Sequence, residues 1–494
     1  MFLTRRAMLA GTALAAALPT LARAAGNQKI LRLQTRQIEV GGKAASVYGA
    51  LQPSGVAGLT LNEGDELDVR LENALPVPSG LHWHGMIPPW RQDGVPFISG
   101  PPVMPGQSAE YKFPARPTGT RWMHSHFGLQ EQSLLGAPLI VREAEAIRSG
   151  AQEVVILLQD FSWTDPKELF EGLRTPKAGG MNMSGMSMSG GGGSMSMSHG
   201  SMNMSGSGGS MNMSGSSMSG QTAMPPMDLN DITFDAFLAN DRTLADPQVV
   251  AVERNAEVRL RIINAAASTN FTIDLGALAG TLVAVDGNPI VPLPVRQVPL
   301  GIAQRADIMV RVADGAVPVL ARCEGRTLQT GVILRPSGAA VSKLSNDNAE
   351  AGPVVGPNQE MQLRAREPLP TRPVDRSVPV DLVGNMATYS WGMAINHMGG
   401  APATVKRGER VELVMHNTTM MAHPMHLHGH NFQVTEIGGM KVPGAVRDSV
   451  LVPPMATVKV VFDADNPGLW AYHCHNLYHM EAGMFATVVY EGFS

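Results

Sequence analysis

The stretch Gly64-Asp65-Glu66-Leu67-Asp68-Val69-Arg70-Leu71-Glu72-Asn73 alternates apolar and polar residues up to a closing asparagine, the period of a half-buried β-strand. The pattern returns at Asn255 through Asn264 and again at Gly408 through Asn417. Nine residues beyond the asparagine, the first copy reads His82-Trp83-His84-Gly85 and the last reads His426-Leu427-His428-Gly429, whereas the middle copy reads Ile273-Asp274-Leu275-Gly276. A second match joins the outer copies: Gly119 precedes His124-Ser125-His126 by five residues, as Gly468 precedes His473-Cys474-His475. A strand that is kept while its histidines become aliphatic marks three homologous β domains. The outer two carry a polar site, and the middle one reads as a spacer.

Length and composition agree. The chain has 494 residues, which at roughly 150 residues per domain suits three domains, each able to bury its own core. Hydrophobic residues make up 44% and charged residues 16%, with 53 Gly and 36 Pro, a turn-rich composition that points to an all-β protein and excludes a coiled coil. A net charge of −4 without a basic run suggests neither a nucleic-acid groove nor a polybasic membrane surface. The only cysteines, Cys323 and Cys474, cannot staple three domains, so packing must stabilise them. The expected limits are 25–150, 151–345 and 346–494, with the Ala-, Gly-, Pro- and Asn-rich segment 341–375 leading into the third domain. A monomer is expected.

Residues 1–24 read as an export signal: Thr4-Arg5-Arg6-Ala7-Met8-Leu9 is followed by an apolar run to Leu18 and by Ala22-Arg23-Ala24, an A-x-A cleavage site. The paired arginines resemble a twin-arginine signal, which engages an export machinery for folded proteins. No later segment approaches the roughly 20 apolar residues of a membrane span, so a soluble periplasmic protein is expected. The middle domain is interrupted at 177–227 by low complexity. Within it, residues 181–220 comprise 11 Met, 14 Ser, 11 Gly, 3 Asn and His199. With no apolar periodicity this stretch cannot offset its ordering entropy, and a disordered surface loop is expected.

Ten of the 14 histidines fall into four groups: His82/His84, His124/His126, His423/His426/His428 and His473/His475/His479. Residues i and i+2 of a strand share a face, so each His-x-His presents two imidazoles together. One such pair could be an ordinary strand face. Four groups from both ends of the chain, matched by an internal repeat, point to a metal cluster. Alternation also sends Cys474 to the face opposite His473 and His475. With His423, His479 and Met484 it supplies the two imidazoles, thiolate and axial thioether of a blue-copper site; structural zinc favours closed Cys-rich tetrahedra instead.

These motifs, His82-x-His84-Gly85, His124-x-His126, His423-x-x-His426-x-His428 and His473-Cys474-His475-x-x-x-His479-x-x-x-x-Met484, resemble the multicopper oxidase family over essentially the whole mature chain. The likeness is to its branch of three cupredoxin-like Greek-key β domains, which contains laccases, cuprous oxidases and copper-resistance oxidases. The resemblance implies four copper ions: type 1 on His423, Cys474, His479 and Met484; type 2 on His82 and His426; and a type 3 pair on His84, His124, His475 and on His126, His428, His473. It implies four one-electron oxidations, passed through Cys474 and coupled to reduction of O2 to two waters. Asp93, 11 residues after His82, matches a family acid near the cluster and is the candidate proton relay; Glu481, beside the type 1 residues, is a second candidate.

The methionines bear on the substrate, since thioether sulfur is soft and selects Cu(I). In the tract these are Met181, Met183, Met186, Met188, Met195, Met197, Met202, Met204, Met211, Met213 and Met218. Met420, Met421 and Met425 could form a docking site for Cu(I) beside the type 1 copper, although related cuprous oxidases often carry an acid where Thr419 stands. Three readings follow: a cuprous oxidase in copper tolerance, a laccase acting on phenols and aromatic amines, or a protein that sequesters copper through the tract. His397, His416 and His430 fit no motif and read as structural, and Cys323 as a buried free thiol.

Overall fold

The computed structural model describes residues 28–175 and 229–493, and the leader and the Met-rich tract lie outside them. Three β-sandwiches follow one another. The first, with strands between Lys29 and Arg142, pairs two four-stranded sheets. The second, with strands from Gln152 to Pro336, pairs a six- with a five-stranded sheet, and the third, with strands from Arg376 to Tyr490, pairs an eight- with a five-stranded sheet. Among the described residues no helix is long and apolar enough to cross a membrane.

The repeated segment is a central strand in every sandwich: Glu66–Asn73, Glu257–Asn264 and Arg410–Asn417. Each runs parallel to the first strand of its domain and antiparallel to a later one, Ser108–Pro114, Arg305–Arg311 or Thr457–Asp463. Its apolar positions face the core: Leu67, Val69 and Leu71 are fully buried, as are Val258, Leu260 and Ile262. The closing asparagine has a physical role. Asn73 donates to the carbonyls of Val77 and Val103, Asn264 to those of Thr269 and Leu300, and Asn417 to those of Met421 and Val452. Each side-chain oxygen accepts from the N–H two residues on. A buried amide that satisfies three backbone groups holds the turn out of the strand, and an apolar replacement would leave them unpaired.

Gly119 marks a close approach of domains: a Cβ there, at φ +114°, would lie 2.1 Å from the carbonyl oxygen of Gly287 in the middle sandwich. Ile273 and Leu275, which stand where the outer domains carry histidine, are buried in the middle core.

Candidate metal centre

The histidine pairs sit where strands end, with the intervening residue turned inwards. Trp83 packs against Tyr111 and Phe113, with ring centroids 5.1 and 6.2 Å away. Ser125 donates to Gln130 Oε1 at 2.8 Å. In the third domain, strands His423–Leu427 and Leu469–Cys474 pair so that His426 faces His473 and Met425 faces Cys474. Eight imidazoles thereby meet between the outer domains. Ring centroids are 3.8 Å apart for His82 and His428, 3.8 Å for His84 and His426, 4.8 Å for His124 and His475, and 4.9 Å for His126 and His473.

Where the imidazole N–H groups go decides whether these residues suit a metal. His428 Nδ1 is 2.8 Å from Asp93 Oδ2, and His473 Nδ1 is 2.9 Å from the Cys474 carbonyl. Both partners only accept, so both Nδ1 atoms are protonated and both Nε2 atoms are bare. Those bare nitrogens face each other at 3.0 Å, lone pair against lone pair, which calls for a cation between them. The Nε2 atoms of His124 and His475 approach to 3.3 Å, and those of His126 and His473 to 3.1 Å. His82 Nε2, His84 Nδ1 and His426 Nε2 are buried without any partner, each at a cost of about 1–3 kcal/mol unless something binds it. Burial, reinforced by neighbouring rings, holds His84, His124, His126, His426, His428 and His475 well below the usual histidine range, and burial takes His473 to about 3. They are neutral at pH 7, the form that ligates.

On the opposite face of the strand, Cys474 Sγ lies 3.8 Å from His423 Nδ1 and 3.7 Å from His479 Nδ1, and the two nitrogens are 3.1 Å apart. His479 sits on the short helix Leu477–Glu481, whose first N–H groups are capped by the Asn476 side chain. Met484 is fully buried; its carbonyl accepts from the Cys474 N–H and its N–H donates to the His479 carbonyl. Burial pushes the Cys474 thiol up, so thiolate forms there only against a bound cation. The Thr419 hydroxyl holds His423 Nε2 at 2.7 Å, and Asp231 Oδ2 lies 2.9 Å from His479 Nε2. Burial tends to raise Asp231, but the His479 ring and the donors of Tyr389 and Asn476 outweigh it and hold the carboxyl below its usual range.

Asp93 is buried between His82 and His428: its Oδ2 is 2.8 Å from His428 Nδ1, and its backbone carbonyl is 3.1 Å from His82 Nδ1, while Oδ1 has no hydrogen-bond partner. Two candidates sit apart from the polar sites. Glu481 is exposed at the end of its helix and has no hydrogen-bond or ion-pair partner among the described residues, so no contact there links it to the imidazoles. Met425 is fully buried in the core, since alternation turns it inwards between Pro424 and His426. Met420 and Met421 instead line a cavity of about 30 Å³ together with Asp231, Asn270, Glu324 and Asn476. The tract methionines and His199 lie outside the described residues. His430 donates from Nδ1 to the His428 carbonyl at 3.0 Å and accepts from Tyr490 at 2.6 Å. The carboxylates of Glu131, Asp231 and Asp448, all beside cluster or thiolate-site imidazoles, carried no motif that would have singled them out.

Three β-sandwiches, a thiolate–imidazole site and an eight-imidazole cluster joined through one His-Cys-His strand define a copper-dependent oxidase. Family models described as multicopper oxidase match residues 34–146, 152–318 and 371–492, and the chain belongs to the multicopper oxidase family. It is an O2-reducing enzyme, and the clusters match the family's type 1, type 2 and type 3 coppers. The chain is 32% identical to multicopper oxidase MmcO of Mycobacterium tuberculosis, with 92% of this chain and 86% of that one covered. It is 27% identical to a copper resistance protein A homolog of Pseudomonas syringae pv. tomato, covering 94% and 92%. Its fold is similar to that of Fet3p, a multicopper oxidase that functions in iron import, with a TM-score of 0.71 at 18% identity over 94% of this chain and 90% of that one.

Proposed function

We propose that this chain is a cuprous oxidase, exported to the periplasm as a monomer, that converts Cu(I) to Cu(II) in copper tolerance. In this reading type 1 copper is held by His423, Cys474, His479 and Met484, type 2 by His82 and His426, and the type 3 pair by His84, His124, His475 and by His126, His428, His473. Bound copper supplies one-electron oxidation of the donor and reduction of O2 to water. Cys474 stands between His473 and His475 in the chain, so a single residue links the two sites covalently. The Asp93 carboxylate keeps the Nδ1 proton of His428 in place and its backbone carbonyl that of His82; its Oδ1, buried without a hydrogen-bond partner, is the site at which a proton bound for the cluster would be taken up and passed on.

The observation that carries the cuprous reading is the cavity beside His479. Its two thioethers, Met420 and Met421, suit a soft cation, and the Asp231 carboxylate supplies negative charge next to the imidazole through which an electron would enter. The acid that related enzymes carry at the Thr419 position is in this reading replaced by Asp231. The copper resistance named in one relative supports the same reading, as does the twin-arginine leader.

O2 uptake by the copper-loaded mature protein tests it, with Cu(I) or a phenol as donor. Met420→Leu/Met421→Leu should lower Cu(I)-driven uptake at least tenfold and leave phenol oxidation unchanged, and deletion of 177–227 should lower the Cu(I) rate further. Faster turnover of phenols than of Cu(I), equal in all three proteins, would make the enzyme a laccase. Slow uptake with copper bound well beyond the four cluster sites would make it a sequestering protein.

A further inference from the structure

Asp448 is a node between the three domains. It is buried between strands Val446–Arg447 and Ser449–Val452, with Oδ1 3.1 Å from His84 Nε2 and its backbone carbonyl 2.7 Å from His426 Nδ1. Both oxygens accept only, so His84 donates through Nε2 and His426 through Nδ1. The nitrogens left bare are His84 Nδ1 and His426 Nε2, two of the atoms that are buried without a partner. One residue thus sets opposite tautomers on two rings stacked 3.8 Å apart.

The Ser449 hydroxyl donates to Asp448 Oδ1 at 3.1 Å and Arg121 Nη1 of the first domain to Oδ2 at 3.4 Å, but the two-pronged grip on the carboxylate comes from the middle domain. Arg305, fully buried at the start of strand Arg305–Arg311, donates from Nη1 to Asp448 Oδ1 at 2.7 Å and from Nη2 to Oδ2. Its other donors go to the carbonyls of Thr120 in the first domain at 3.2 Å, and of Ala303 and Asp286 in its own at 3.0 and 3.2 Å. All five N–H groups are used, on all three domains. A lysine has neither the number nor the planar fork to reproduce them. The same packing accounts for the glycine of His82-x-His84-Gly85: a Cβ on Gly85 would lie 2.5 Å from Arg305 Nη2 and 2.6 Å from Asp448 Oδ2. Replacing such a buried ion pair by packed apolar groups is often neutral for stability, whereas removing one partner strands the other charge.

We propose that Arg305 is a positioning residue for the trinuclear cluster: from a domain that supplies the cluster no histidine, it clamps Asp448 so that His84 presents Nδ1 and His426 presents Nε2 to the metal. The proposal rests on His84 and His426 being copper ligands. Arg305→Met and Arg305→Lys test it in the full-length protein, read by copper per chain, the type 1 blue absorption, the type 2 electron paramagnetic resonance signal, and imidazole ¹⁵N spectra of the copper-free protein. Both variants should keep the blue absorption. The Met variant should lose cluster copper and the native type 2 signal, and in copper-free form its His84 should populate both tautomers where the parent holds Nε2–H. The Lys variant should fall between.

A Met variant with a full copper complement and an unchanged type 2 signal would overturn the proposal. So would parallel loss of blue absorption and type 2 signal in both variants, which would reduce Arg305 to a folding role. His84→Ala separates the two levels: retention of all cluster copper there would refute the ligand assignment itself, and the proposal with it.

Discussion

Glu131 Oε2 lies 2.8 Å from Nδ1 of His124, and Oε1 lies 3.8 Å from Nδ1 of His475, so one buried carboxyl contacts an imidazole of the first domain and stands near one of the third. Burial holds this carboxyl well above its usual range. Glu131→Ala would leave His124 Nδ1 with only the Ser125 carbonyl at 3.1 Å and would open a cavity behind it, at a cost of about 1–3 kcal/mol. Copper per chain should fall, and O2 uptake at least tenfold with it. Glu131→Gln, whose amide oxygen can still accept from Nδ1, should keep its copper. Elemental analysis of the two purified variants decides between an orienting acceptor and a bystander.

Asp231 places a negative charge beside His479, and such a charge favours the more positive, oxidised form of a metal site. Asp231→Asn keeps the shape and an acceptor for the Tyr389 hydroxyl, now 2.8 Å away. The type 1 potential should therefore rise by on the order of tens of millivolts, and Cu(I) turnover should slow. Redox titration of the blue absorption measures the shift; a potential unchanged from the parent would mean that the carboxylate is not felt there.

Asp160 accepts from the Ala267 and Ser268 N–H groups and the Thr269 hydroxyl, and the Ala267 carbonyl in turn accepts from the Leu477 N–H of the third domain. Burial outweighs those donors and lifts its carboxyl from 3.8 to about 6. The folded state then binds the proton more tightly than the unfolded chain, so this contribution is complete below about pH 4 and is lost as pH rises through about 6. Relative to Asp160→Asn, the parent should lose about 3 kcal/mol across that window. Unfolding midpoints of both proteins between pH 4 and 7 test it, and parallel curves would contradict the shift.

Copper removal should destabilise the interface between the outer domains, because the opposed nitrogens of His428 and His473, 3.0 Å apart, then have nothing between them. Copper a thousandfold above its dissociation constant contributes about 4 kcal/mol. Calorimetry should show a lower midpoint for the chelated protein that copper restores. Equal midpoints would mean that the apo cluster relaxes at no cost.

Much of this was legible in the chain. The alternation of Glu66–Asn73 and its two copies revealed three β domains because strand period and burial are local properties. The His-x-His pairs declared a metal cluster for the same reason. The same alternation, applied to Pro424-Met425-His426, would have placed Met425 inwards. Adjacency to His479 could not reveal that Glu481 stands exposed, because exposure on a short helix depends on what packs against it.

Order along the backbone was enough for the fold, the copper-suited residue types and their division between two faces of one strand, since each is a property of near neighbours in the chain. Which carboxylates meet which imidazoles follows from domain packing instead: Glu131 with His124, Asp231 with His479, Asp448 with His84 under the grip of Arg305. These partners are far apart in the chain and carry no periodicity. Their pairing is settled by which buried donor and acceptor the packed domains leave facing each other, because an unpaired charge in that interior costs too much to persist.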